Sequence, residues 1–390
     1  MAKLKLKANN IKKKVKSIQK SAVELLKQNR TLVQDFVDAY FLDELITDKI
    51  HNDLGASFTD FKRQGKYIIK KARKEGEDKL VDEIRWYLKF RDTPLSKYLP
   101  EIDSYSIKPG KVFVKMKYYT YPNLRKVTLN NLNPGFILKR RWQHLFQVLL
   151  DSLYTQENSK PAPADFVEKS HFSKLKKRIS ETVQMAPFLK EVITADTLLV
   201  NGRRYANLGK VLPAITGNER IRARLTPDRI YYAHGDLHCN NILCGISYKS
   251  MVLIDCRGKS PYGDMYFDVA YDIAKIYHDL NSYYSLIEKH QYSLFLNIHG
   301  DVEIEFAFLD QGQVEKFRTW SKYVESLIKE KFTGFGDLEY RARFTEAMLY
   351  LTMIPFHLKV KSEAVMCYAT GIIRLNEWLS RYHPEILKEK

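Results

Sequence analysis

Cysteine is scarce. Four residues in a chain of 390, with no paired framework, do not make a disulfide-stapled secreted domain and fit a reducing cytoplasm. No apolar run reaches the roughly 18 residues that a membrane-spanning helix requires, and the first residues, MAKLKLK, lack the apolar core of a secretory signal. A cytoplasmic protein is therefore expected. Internal repeats and low-complexity tracts are absent too. No zinc-knuckle spacing, RNP-like strand or recognition-helix pattern accompanies the excess of base, so no nucleic-acid partner is expected from charge alone. What is present is 45% hydrophobic and 13% aromatic content, enough for a large core divided among two or three domains or lobes.

The formal charge of +18 is unevenly placed. Residues 1–30 hold ten Lys or Arg against the single acid Glu24, which is half of the excess. Ile11, Val15, Ile18, Ala22 and Leu25 recur at steps of four and three there, so a basic amphipathic helix is predicted. Its narrow stripe can pack on the body of the protein, lie peripherally on an anionic membrane face, or meet an acidic partner. Residues 31–50 reverse sign, with Asp35, Asp38, Asp43, Glu44 and Asp48 against Lys49.

The most informative segment is 232–243, YAHGDLHCNNIL, followed by a second acid, Asp255, at the end of the apolar run 251–254. An Asp, an Asn five residues later and a downstream Asp are the set that phosphoryl transfer needs. Asp236 can orient a hydroxyl nucleophile or take its proton, while the amide oxygen of Asn241 and the carboxylate of Asp255 are hard donors suited to Mg2+. Gly235 and the polar residues after it read as a tight loop between two short strands. His234, His238, Cys239, Cys244 and Cys256 match no familiar zinc-ligand spacing.

Upstream, residues 55–61 and 65–70 read as two strands. The first resembles a degenerate phosphate-covering loop in which Ser57 approaches the nucleotide phosphates. Lys70 lies thirteen residues before Glu83, which sits in a helical pattern; a pair between them would hold the lysine on those phosphates. Lys71, facing the other side of the strand, and Lys115 are competitors. Residues 105–107 and 112–119 read as two more antiparallel strands, with Met116 and Tyr118 where a linker between lobes binds adenine through its backbone. Asn201-Gly202 marks a type I′ hairpin, and the chain beyond about residue 266 reads as mostly helical.

Together these residues resemble the aminoglycoside phosphotransferase and choline kinase family over roughly residues 53–380. The loop HGDxxxxN, the turn at Asp255-Cys-Arg-Gly258, the run Tyr271-Asp-Ile-Ala-Lys275 and Met353-Ile-Pro-Phe-His357 look most like kinases encoded with bacterial capsule and surface-polysaccharide genes. The resemblance implies an α+β, two-lobed protein-kinase-like fold: a basic then acidic helical extension over 1–50, a small antiparallel-sheet nucleotide lobe over 51–117, and a mostly helical lobe over 118–390. It implies ATP as donor, Mg2+ as cofactor, Asp236 as catalytic base, Asn241 and Asp255 as metal ligands, and His234 and Asp268 as supports of the loop.

The acceptor would be a small hydroxylated molecule such as a sugar, polyol or glycan intermediate, with His238 and His357 as candidate contacts. A choline, ethanolamine or aminoglycoside acceptor is the alternative within the class. A catalytically silent scaffold that binds a membrane or acidic partner is the alternative outside it. The sequence lacks the Gly-x-Gly-x-x-Gly loop, the Phe-Gly after the metal Asp and the Ala-Pro-Glu of protein kinases, which disfavours protein substrates. Deleting residues 1–30 tests the basic segment: co-sedimentation with anionic vesicles that survives the deletion removes its membrane role.

Overall fold

The computed structural model describes residues 59–130, 133–298 and 300–388. Ser57 and the basic and acidic segments of 1–50 lie outside the described residues. The smaller lobe is built from β1 (Thr59–Gln64), β2 (Tyr67–Ala72), α1 (Glu77–Phe90), β3 (Ile102–Ser106) and β4 (Phe113–Lys117). Its strands form one antiparallel sheet in the order β1-β2-β4-β3. Gly65, at φ 57°, supplies the left-handed residue that lets β1 turn into β2. Leu80 and Ile84 of α1 pack with Ala72, Val112, Val114 and Met116 of the sheet to make a small core.

The rest of the chain is mostly helical. It runs through α2 (Leu124–Leu129), α3 (Gly135–Ser152), β5 (Ser159–Pro161), α4 (Ser173–Met185), α5 (Lys190–Thr194), β6 (Thr197–Val200), β7 (Arg203–Ala206), α6 (Leu208–Gly217) and α7 (Glu219–Leu225). The catalytic-loop region follows as β8 (Arg229–Tyr232), β9 (Ile242–Cys244), β10 (Met251–Leu253), β11 (Tyr266–Phe267) and α8 (Val269–Leu280). The chain then continues through α9 (Tyr284–Glu288), β12 (Tyr292–Asn297), β13 (Glu303–Phe308), α10 (Gln311–Lys331), α11 (Leu338–Met353), α12 (Lys361–Tyr382) and α13 (Pro384–Lys388). This is the expected α+β class, a small antiparallel-sheet lobe followed by a mostly helical one. Among the described residues no helix is long and apolar enough to cross a membrane.

The Asn201-Gly202 turn forms, with φ of 49° and 71°, between β6 and β7. The expectation of helix beyond residue 266 needs one correction. β12 and β13 pair with each other, and β13 adds in parallel to β6, giving a four-stranded sheet in the order β12-β13-β6-β7. The alternation Ser293-Leu-Phe-Leu296 and Ile304-Glu-Phe-Ala-Phe308 carries this two-residue period, which dominates over any helical tendency.

Asp268 caps α8 by accepting the Ala270 N–H at 3.1 Å, and its other oxygen receives Arg341 Nε of α11 at 2.7 Å. Both side chains are buried. Arg341→Ala leaves a carboxylate buried without its cation, so chemical denaturation is expected to show a loss of about 3–5 kcal/mol. A loss under 1 kcal/mol would show that the pair is incidental.

Candidate active site

Burial decides between the two adjacent lysines of β2. Lys70 faces α1 and is 7% exposed, whereas Lys71 faces solvent. Lys70 Nζ lies 2.6 Å from Glu83 Oε2 and 2.7 Å from Asp255 Oδ1. Burial alone would favour the neutral amine, but the carboxylates of Asp255 and Glu83 outweigh it and hold the lysine pKa above its ordinary value. The site therefore keeps a fixed cation. Lys115 instead pairs with Asp103 at 2.9 Å and plays no part here.

Helix α1 does more than supply Glu83. Tyr87, one turn on, donates to Glu83 Oε1 at 3.2 Å and accepts the backbone N–H of Asp255 at 2.9 Å. Trp86 donates its indole N–H to the Ala233 carbonyl at 2.9 Å, at the entry to the catalytic loop. Asp255 follows β10 in the left-handed region, φ 58°, a conformation that Asp tolerates better than most residues.

The two metal-type oxygens are brought together by the β9 and β10 hairpin. Ile254 N–H bonds the Asn241 carbonyl at 3.0 Å, so Asn241 and Asp255 sit side by side at the strand ends. Asn241 donates its amide N–H to the Asp236 carbonyl at 2.9 Å, which leaves its side-chain oxygen as the free donor. Arg141 of α3 fixes the far turn by reaching the carbonyls of Gly245 and Ser250 at 2.9 and 3.1 Å. An amide oxygen beside a carboxylate fits a small hard dication.

The loop of residues 234–241 is gripped from one face of α8. Asp272 accepts the backbone N–H groups of His234 and Gly235 at 2.9 and 2.8 Å, and Tyr154 also donates to it at 2.8 Å. Lys275 Nζ pairs with Asp236 Oδ1 at 2.8 Å. Asp279 accepts the Cys239 N–H at 2.6 Å. Asp272 and Asp279 are fully buried, and burial pushes the Asp272 pKa up to about 6 against its hydrogen bonds. Gly235 makes the turn at φ 74°, where a Cβ would come within 2.8 Å of Arg257 Cβ.

The role of loop brace therefore passes from Asp268 to Asp272. Asp268 is committed to Arg341 and the start of α8, one turn before the residue that meets the loop. His234 does lie within the loop's support, accepting the Asp236 N–H at its Nδ1 at 3.2 Å. Its carbonyl receives the Arg257 N–H at 2.7 Å. Burial holds its pKa down at about 4, so the ring is neutral with its proton on Nε2.

Asp236 is ionised. Burial would raise its pKa, but Lys275, His238 and Arg257 outweigh burial and hold the carboxyl well below its usual range. His238 Nε2 stands 4.0 Å from Asp236 Oδ2, beyond hydrogen-bond distance. His357, the second candidate acceptor contact, is held within the protein on one side. Its Nδ1 is bound to Glu363 at 2.6 Å and its Nε2 faces the Tyr284 hydroxyl at 3.5 Å.

The adenine linker also shifts. Met116 is buried within β4, its backbone paired between β2 and β3. The Tyr118 N–H is bonded to the Lys66 carbonyl at 2.9 Å, and Arg63 lies over its ring at 4.4 Å. The sheet pairing thus continues one residue past β4.

No family model and no curated protein matches the chain. Among solved structures, it is similar to the ADP-bound aminoglycoside phosphotransferase APH(2'')-Ib at 13% identity and a TM-score of 0.39, over 86% of this chain and 99% of the other.

Gly258 joins the two halves of the site. A Cβ there would fall 1.8 Å from the Asp82 carbonyl of α1, so only glycine allows this approach. Gly258→Ala is expected to push α1 away, part Glu83 from Lys70, and lower the melting temperature. An unchanged melting temperature would show that the close approach does not position the site.

Proposed function

We propose that this chain is an ATP-dependent phosphotransferase that phosphorylates a hydroxyl of a small molecule. One observation supports it above the rest: the Lys70 ammonium lies between Glu83 and Asp255, beside a loop that presents Asn241 and Asp236. A fixed cation, two hard oxygen donors and an ionised carboxylate are the parts that positioning and charge stabilisation of a transferring phosphoryl group require.

Each group has a defined task. Lys70 holds the nucleotide phosphates, and Glu83 with Tyr87 keeps it aimed. Asn241 and Asp255 would hold Mg2+, which offsets negative charge on the phosphates when bound. Asp236 receives a hydrogen bond from the acceptor hydroxyl and orients it in line with the γ-phosphorus. Because its neighbours keep its pKa low, it is a weak base, so the proton moves late, when the oxygen has already bonded to phosphorus. The likeness of the loop and its flanking turns to kinases of surface-polysaccharide gene clusters supports a sugar, polyol or glycan intermediate as acceptor.

Asp236→Asn is expected to lower the transfer rate by about 10²–10⁴-fold while Mg-ATP still binds. Asp255→Ala is expected to abolish both transfer and the thermal shift with Mg-ATP. ADP release measured across a panel of sugars and polyols decides the matter. If Asp255→Ala turns ATP over as fast as the parent, the assignment fails.

A further inference from the structure

Beyond Asp236 the site is lined by cations from four separate stretches of chain. Lys275 pairs with Asp236 itself at 2.8 Å. Arg257, two residues after Asp255, donates from Nη1 to the Tyr271 hydroxyl at 2.8 Å. Lys174 of α4 lies 6.0 Å from the centre of the same ring. One turn further along α4, Arg178 lies over Phe356 at 4.7 Å, and Lys79 of α1 reaches the same ring at 5.9 Å. Phe356 is 39% exposed, large for an aromatic ring held between two cations.

Among the described residues, acids balance this group only in part. Asp236 is shared with Lys275, and Arg178 has Glu181 at 2.7 Å. Among the described residues, Lys174 and Arg257 have no carboxylate within ion-pair distance. The crowding has a measurable cost. Burial and the charges of Arg257 and Arg178 hold the Lys79 pKa down, and Lys174 is lowered by burial and by Arg257, Lys275 and Arg178 although Tyr271 opposes this. Tyr271 responds in the opposite sense. Burial would raise its phenol, but Arg257, Lys174 and Lys275 outweigh burial and bring it down to about 8. Cations that outnumber the acids among them produce a positive field that an anion relieves.

We propose that the acceptor is itself an anion, a hydroxyl compound bearing a phosphate or carboxylate group, which Lys174, Arg178, Arg257 and Lys79 hold while its free hydroxyl meets Asp236. This rests on the phosphotransferase reading and narrows its substrate class. Phe356 offers the apolar face of the acceptor a surface between two of the cations. The hydroxyl oxygen bonds to the γ-phosphorus of ATP and the bond to the bridging oxygen breaks. ADP leaves with that electron pair, and the hydroxyl proton passes to the Asp236 carboxylate. The product carries one phosphoryl group more than the acceptor. A cationic acceptor, such as choline or an aminoglycoside, would meet repulsion at the same place.

The test pairs acceptors that differ only in charge: glucose against glucose 6-phosphate and glucuronate, and glycerol against glycerol 3-phosphate and glycerate. ADP release by the full chain is expected to favour an anionic member at least tenfold in kcat/KM, and the phosphate and carboxylate arms show which group is preferred. The double variant Lys174→Glu, Arg178→Glu is expected to raise the acceptor KM at least tenfold, with the rise on the acceptor and not on ATP. Preference for the neutral members, an unchanged acceptor KM, or a rise confined to ATP overturns the proposal. Calorimetric titration of the same compounds provides a readout independent of turnover. Binding of an anionic member that the double variant loses supports the patch, and absence of binding by every one of them counts against it. Loss of all ATP turnover in the parent chain would instead remove the phosphotransferase reading.

Discussion

The site depends on a loop being held still by one helix. Asp272, Lys275 and Asp279 recur at steps of three and four along α8, which sets them on one face, and they grip successive parts of the catalytic loop. Asp272 takes the N–H groups of residues 234 and 235, Lys275 the carboxylate of residue 236, and Asp279 the N–H of residue 239. A buried N–H without a partner costs roughly 1–3 kcal/mol, so the two acids offset most of the penalty of burying an irregular loop. With the backbone fixed at both ends, the carboxylate between them has little freedom, and positioning is the larger part of catalysis by such sites.

A second helix ties the lobes' chemistry together. Helix α1 presents Glu83 to Lys70, Tyr87 to Glu83 and the Asp255 N–H, and Trp86 to Ala233. Its Asp82 carbonyl sits where a side chain at residue 258 would be. Any shift of α1 therefore disturbs Lys70, Asp255 and the loop entry together. Such shared contacts make the active arrangement a state of the whole site, with few intermediate positions available to a close-packed interior.

Legibility in the sequence followed the locality of the signal. Asp236, Asn241 and Asp255 lie within twenty residues of one another, and the Lys70 and Glu83 spacing spans one strand and one helix, so local pattern carried them. The spacing to Glu83 favours Lys70, but Lys71 stays a competitor in sequence because strand alternation states that they differ in face without saying which face α1 covers. The loop brace was read one turn too early. Asp268 and Asp272 share a helix start, and only the tertiary approach of Arg341 from α11 diverts the first of them. His357 was read as available because its partner Glu363, on the next helix, has no signature in sequence. The hidden signal for Asp272 was an acid on the apolar face of α8, where an unpaired charge would not be tolerated.

The low pKa of Asp236 and the positive lining of the acceptor side have a common origin. Lys275 and Arg257 lower that pKa and also stand in the cationic group that extends to Lys174, Arg178 and Lys79. A strongly basic carboxylate would not survive beside so many cations, so this site cannot gain rate by early proton removal. On the phosphotransferase reading proposed above, it would gain instead by fixing a hydroxyl and neutralising charge. An anionic acceptor brings more negative charge toward an already anionic nucleotide, a repulsion of about 4 kcal/mol for two unit charges 4 Å apart at an effective dielectric of 20. On that proposal, cations between the two substrates would convert the repulsion into attraction on both sides. The feature that weakens Asp236 as a base is thus the feature that would let two like-charged reactants meet.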